Sequence, residues 1–148
     1  MNKQVALEQL DRRAETLFSI GDAVWDHPET DYTEEQSSAI LKQALEQEGF
    51  TVQSNLDGIP TAFSGTYGSG APVIGILGEF DALSGLSQKA GITHPEPLTE
   101  GGNGHGCGHN LLGTGSLSAA IAVKEYLKEK PRKKLAFYNS ISTKNGFY

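Results

Sequence analysis

The only cysteine and two of the four histidines in this 148-residue chain fall within one run, Gly104-His105-Gly106-Cys107-Gly108-His109-Asn110. A thiolate and an imidazole one residue apart are donors of the kind that hold zinc. Glycine on each side of Cys107 leaves the backbone free to turn both donors toward one point. A catalytic zinc takes three protein ligands and keeps a fourth position for water, so Cys107 and His109 make half of a metal site. Taken alone the pair is weak evidence, because a lone cysteine is more often a small buried hydrophobe. The context strengthens it. Glu79 and Asp81 stand two residues apart just after the apolar run 72–77, where they offer oxygen donors or hydrogen-bonding partners.

Other chemistries fit the same residues less well. Gly102, Gly104, Gly106 and Gly108 alternate, so the G-x-G-x-x-G spacing fails, and no Gly-x-x-x-x-Gly-Lys-Ser/Thr run exists for phosphates. One cysteine makes neither a zinc finger nor an internal disulfide. A nucleophilic Cys/His pair normally draws its members from separate parts of a fold. A thiol or redox role for Cys107 without metal stands as the alternative outside metal chemistry. His27 reads as a helix-end histidine, and His94 as a substrate-loop candidate or a solvated side chain.

The elements that must carry these groups alternate helix and strand. Leu10, Ala14, Leu17, Gly21 and Val24 recur at helical steps, which predicts one helix over 3–26, stopped by Pro28. Thr33-Glu34-Glu35-Gln36 has the form of a capping box, with Thr33 as N-cap of a second helix to about residue 48. Strands are expected at 50–54 and 61–67, with Gly68-Ser69-Gly70 as a hairpin connection to 72–77. The run 72–77 is apolar throughout and reads as a strand covered on both faces. Glu79 and Asp81 then fall beyond its carboxyl end, where ligands collect in open α/β sheets. Residues 84–103 show no periodicity, and loops this long are usually functional or disordered. A third helix is predicted over 111–129, with Asn110 as N-cap and Leu112, Ser116, Ala119, Ala120, Val123, Tyr126 and Leu127 on its buried side. Residues 135–138 read as a last strand.

Composition excludes several function classes. The net charge of −6 argues against nucleic-acid binding, and the one basic cluster, Lys128 to Lys134, reads as a helix end in a favourable dipole. At 37% hydrophobic residues, and without an apolar run near the ~20 residues of a membrane span, the chain reads as soluble. The first residues lack the apolar core of a signal peptide, and one cysteine suits a reducing compartment, so a cytoplasmic location is expected.

Three motifs in order, His27-Pro28-Glu29-Thr30 followed by Glu34, Gly78-Glu79-Phe80-Asp81-Ala82-Leu83, and His105-Gly106-Cys107-Gly108-His109-Asn110, resemble the M20 metallopeptidase and amidohydrolase family in its aminobenzoyl-glutamate branch. The resemblance covers about residues 5–138 and implies part of a zinc-peptidase-like catalytic domain. That fold is a three-layer α/β/α arrangement with two N-terminal helices and then a mixed sheet with a packed helix. It implies a hydrolase using zinc or manganese, with two metals in intact relatives, on acyl-amino acids, aminobenzoyl-glutamate or short peptides. Cys107 and His109 match metal-ligand positions, and Asp81 matches the acid of the first metal motif. Glu79, His105 and Asn110 are candidates for the ligand set or its immediate support. Asn110 stands where many relatives carry aspartate.

Beyond residue 138 the family continues into a Pro-Ala-Glu-Glu motif that supplies the general base and a further ligand. This chain reads Asn139-Ser140-Ile141-Ser142-Thr143 instead, and its last acidic residue is Glu129. The expectation is an N-terminal portion without the dimerisation domain, with 139–148 a divergent tail. Such a chain is expected to be inactive alone, with at most weak metal binding through Cys107 and His109. Its unfinished sheet edge would serve for docking or for a homo-oligomer.

Overall fold

The computed structural model describes residues 3–128 and 133–139. In chain order it contains α1 (Lys3–Asp11), α2 (Ala14–Trp25), α3 (Glu35–Gln47), β1 (Thr51–Leu56), β2 (Ile59–Gly68), β3 (Val73–Gly78), α4 (His109–Lys128) and β4 (Lys134–Asn139). The residues after Asn139, which hold the divergent tail, and part of the basic cluster lie outside the described residues. No helix among the described residues is long and apolar enough to cross a membrane.

The strands form one mixed sheet in the order β1-β2-β4-β3. Strands β1 and β2 are an antiparallel hairpin turned by Asp57 and Gly58, both at positive φ. β4 then enters between β2, to which it is antiparallel, and β3, to which it is parallel. This corrects the hairpin reading of Gly68-Ser69-Gly70, because β4 separates the two strands which that turn would have paired.

Phe137 stands opposite both Gly65 and Ile76, so the three point to one face of the sheet. The helices lie on that face. A Cβ on Gly65 would meet Leu45 of α3 at 3.0 Å, and one on Gly78 would meet Ser116 of α4 at 3.3 Å. The core between helices and sheet is built from Val24, Leu41, Leu45, Phe63, Leu117, Ile121, Leu135 and Phe137. Phe63 and Phe137 stack with ring centroids 6.1 Å apart.

Strand β3 is not covered on both faces. Val73 and Leu77, which alternate with Ile76, point to the face away from the helices and are 55% and 58% exposed, Ile74 is 42% exposed, and among the described strands β3 pairs only with β4. An uninterrupted apolar run therefore marks an edge strand here. The buried stripe of α4 is also rotated from its expected position. It runs through Asn110, Gly113, Thr114, Leu117, Ala120, Ile121, Lys124 and Leu127, while Leu112 is exposed.

The predicted helix over 3–26 is two helices. Arg13 leaves helical geometry at φ −105°, ψ 3°. Its guanidinium donates to Glu48 at 3.0 Å and to Glu125 at 3.2 Å. Lys124, buried in the α4 stripe, donates to the Glu48 carbonyl at 2.9 Å and pairs with the Glu48 carboxylate. The capping box at the start of α3 does not form either. Thr33 donates its hydroxyl to Thr30, and Glu29 supplies the cap from outside the helix. The Glu29 carboxylate accepts from the Gln36 and Ser37 N–H groups, each at 2.9 Å.

Burial raises the Glu48 pKa, but hydrogen bonds from Lys124 and Arg13 outweigh it and hold the carboxyl below its ordinary value. Glu125 is lowered in the same way, its burial outweighed by Lys128 and Lys124. A depressed carboxyl contributes stability above its unfolded pKa and loses it as pH falls through the folded value. Lys124→Ala should therefore cost about 2 kcal/mol at pH 7, where the Glu48 carboxylate loses one of its two cationic partners and keeps Arg13. The loss should shrink at pH 3, as measured by urea denaturation at the two pH values.

Candidate metal centre

The carboxyl end of β3 runs directly into Glu79-Phe80-Asp81, and α4 begins at His109 beside it. This close approach depends on Gly113, where a Cβ would fall 2.9 Å from the Glu79 carbonyl and 3.1 Å from Phe80. Asp81 is 3% exposed, and its Oδ1 lies 2.8 Å from His109 Nδ1. On the other side of the ring, His109 Nε2 lies 3.4 Å from Glu79 Oε2. Ligand atoms of Glu79, Asp81 and His109 all fall within 4.8 Å of one another.

An imidazole nitrogen and the Glu79 carboxylate beside it are donor types that suit a divalent ion such as zinc or manganese. The arrangement also suits the common pattern in which a metal-binding histidine donates its other N–H to a carboxylate. With Asp81 accepting from Nδ1, the Nε2 lone pair is left free on the Glu79 side. The residues present therefore fit a metal.

The other candidates stand apart from this trio. Cys107 is exposed and lies outside the three-donor group. His105 is buried beside Trp25, ring centroids 6.2 Å apart, with Nε2 3.0 Å from the Val24 carbonyl. Burial lowers its pKa against the pull of that carbonyl, which favours the neutral ring. Asn110 is not an N-cap. It sits inside the first turn of α4, buried, with its side-chain amide donating to the Gly21 carbonyl at 3.5 Å. His105 and Asn110 thus fasten the glycine-rich run to α2. His94 is exposed on the long loop, 3.2 Å from Glu96.

Backbone contacts fix the loop that carries Asp81. Leu83 and Gly104 exchange both N–H···O bonds at 3.0 Å, and a Cβ on Gly104 would strike the Leu86 carbonyl. Ala82 N–H donates to the Glu29 carbonyl at 2.7 Å. Glu29 therefore caps α3 with its side chain and holds the Asp81 loop with its backbone. The capping-box pattern hid this role, and only the His-Pro-Glu motif pointed to it.

Glu34 was hidden in the same motif. It is fully buried, accepting from Thr61 Oγ1 at 2.8 Å and from the Tyr32 N–H at 3.0 Å. Burial raises its pKa, these hydrogen bonds oppose the rise, and the Asp81 charge adds to it.

The chain is 56% identical over 110 residues to one of the subunits of the p-aminobenzoyl-glutamate hydrolase of Escherichia coli K12, a match covering 74% of this chain and 23% of that protein. In structure it resembles a provisionally assigned aminohydrolase from methicillin-resistant Staphylococcus aureus, with TM-score 0.76 and 23% identity, over 97% of this chain and 36% of that one. It also resembles the Bacillus subtilis YXEP protein, a dinuclear metal binding peptidase from the M20 family. The TM-score is 0.66 at 19% identity, covering 86% and 35% of the two chains. The chain belongs to the M20 family. No protein-family model matches it. It spans about a quarter of the length of the curated hydrolase subunit it matches. The mixed α/β fold of its M20 neighbours is present here as four helices against a four-stranded sheet.

A carboxyl whose pKa is raised in the folded state favours folding below its unfolded pKa and opposes it as pH rises through the folded value. Glu34→Gln keeps an acceptor for Tyr32 and a partner for Thr61 without the charge. The variant should therefore gain stability relative to the native chain as pH rises above about 4, the ordinary glutamate value. Urea denaturation from pH 4 to pH 8 gives the difference directly.

Proposed function

We propose that Glu79, Asp81 and His109, joined by Cys107 from the preceding turn, form the first part of a divalent-metal centre for amide hydrolysis. The substrates inferred are N-acyl amino acids, aminobenzoyl-glutamate or short peptides. The observation that carries this reading is the His109 ring held between Asp81 at 2.8 Å and Glu79 at 3.4 Å. The 56% identity to a p-aminobenzoyl-glutamate hydrolase supports the substrate class.

A bound zinc or manganese would lower the pKa of a water and polarise the amide carbonyl. The chain's own residues prepare that step. Asp81 accepts the Nδ1 proton and orients the imidazole, so that Nε2 is presented as a donor. Glu79 supplies an oxygen on the same side. Cys107, exposed in the turn two residues before His109, offers a sulfur donor that the turn would have to bring toward the trio. No acidic residue follows Glu129, so the sequence offers no general-base carboxylate after β4.

We therefore infer that these 148 residues alone bind metal without turnover. A second reading, a non-catalytic interaction module, is favoured by one observation, the edge of β3, which no described strand pairs, with exposed Val73, Ile74 and Leu77. That edge offers pairing to a further strand or to a second copy of the chain.

Purified chain with zinc or manganese should not hydrolyse aminobenzoyl-glutamate above the metal-only blank. Turnover that disappears in Cys107→Ala would overturn the inactivity. In a zinc titration against a chromophoric competitor, Asp81→Asn should weaken affinity about 10- to 100-fold by releasing the histidine orientation. His109→Ala with Cys107→Ser should abolish binding. Unchanged metal content in the double variant would contradict the assigned donors.

A further inference from the structure

A concave feature lined in part by His105 is not used by the metal trio. The long loop after Leu83 closes over the end of α2 and leaves a cleft of about 390 Å³. Trp25, Asp26, Leu98, Asn103 and His105 are among its walls. This volume is in the range that holds a small organic ligand. The loop is held in shape by its own bonds. Ser87 N–H donates to the Gly102 carbonyl at 2.9 Å, and the Gln88 side chain bridges the His94 carbonyl and the Glu96 N–H, each at 3.0 Å.

Four features of the walls are unspent. Leu98 is 66% exposed at the rim. Among the described residues, the Asn103 side-chain amide makes no hydrogen bond and the Asp26 carboxylate makes no ion pair. Trp25 is half-buried and presents the one indole of the chain. No lysine or arginine lines the cleft, so its only formal charge is the Asp26 carboxylate. An anionic group would meet like charge without compensation. A planar apolar group would bury Leu98 and Trp25 surface, and its polar edge would find Asn103 and Asp26. His105 closes the cleft on the side of the glycine-rich run, four residues before His109.

We propose that this cleft binds a planar aromatic group carrying a neutral amide or a cationic amine, against Trp25 and Leu98 with its polar edge toward Asp26 and Asn103. That this group is part of the hydrolase substrate rests on the proposed function, whereas binding itself needs neither metal nor turnover.

The chain has one tryptophan, so its intrinsic fluorescence reports on the cleft wall directly. Three probes of one shape and different charge test the proposal on the full 148-residue chain without metal: benzamidine, benzamide and benzoate. Saturable changes in Trp25 emission are expected in that order of affinity. Benzamidine should bind about fivefold more tightly than benzoate, the effect of one exposed ion pair. Asp26→Asn should erase the charge preference and keep benzamide binding. Leu98→Ser should weaken all three. The same titration on His109→Ala should be unchanged, which separates failure of this site from failure of the metal centre. Absence of saturable binding by any probe, benzoate as the tightest, or a charge preference that survives Asp26→Asn would each overturn the proposal.

Discussion

The 2.8 Å contact between Asp81 and His109 joins the two parts of the fold that matter most. Asp81 belongs to the end of a strand, and His109 opens the helix that packs over the sheet. Neither carries much information alone. A carboxylate at 3% exposure needs a partner, since an unpaired buried charge is costly. The imidazole supplies it and is fixed in orientation by the same bond. Gly113 makes the contact reachable by letting α4 approach the strand end, and Glu29 keeps the Asp81 loop in place through Ala82. The structure around the site is mostly a means of holding these two side chains together.

Helices and strands were legible in the sequence where a single periodicity acted without competition. The two-residue alternation over 50–54 and the helical spacing of α3 both became elements, β1 and α3. Legibility failed where a distant group changed the local balance. Arg13 breaks the first helix because Glu48 and Glu125, far along the chain, offer its guanidinium better partners. Thr33 does not cap α3 because Glu29 reaches two helix N–H groups first. The stripe of α4 is rotated because Lys124 is drawn inward by Glu48, against its hydropathy. A non-local ion pair has no period, so no window of sequence reveals it.

The site was legible in part, and for a chemical reason. Glu79 and Asp81 were marked by residue type and by position beyond a strand, His109 by its spacing from Cys107, and the fold brings those three together. The spacing of Cys107 from His109 suggested one point of convergence. The backbone instead turns at Gly108, at φ +78°, and leaves the thiol exposed while the imidazole faces inward. His105 and Asn110 looked equivalent to their neighbours in the glycine run. They differ because α2 carbonyls stand opposite them, a fact set by packing of a helix some eighty residues earlier in the chain. The run 72–77 shows the same limit from the other side. Its hydropathy states that it wants cover on both faces, but not which element provides it.

In the proposed centre, Asp81 sets the tautomer of the His109 ring so that Nε2 is the free donor. Nitrogen-15 NMR of the metal-free chain near pH 8, with the His109 signals assigned by comparison with His109→Ala, measures this directly. A proton on Nδ1 is expected, with the ring reverting toward the tautomer mixture of a free imidazole in Asp81→Asn. A ring protonated at Nε2, or a tautomer indifferent to Asp81, would contradict it.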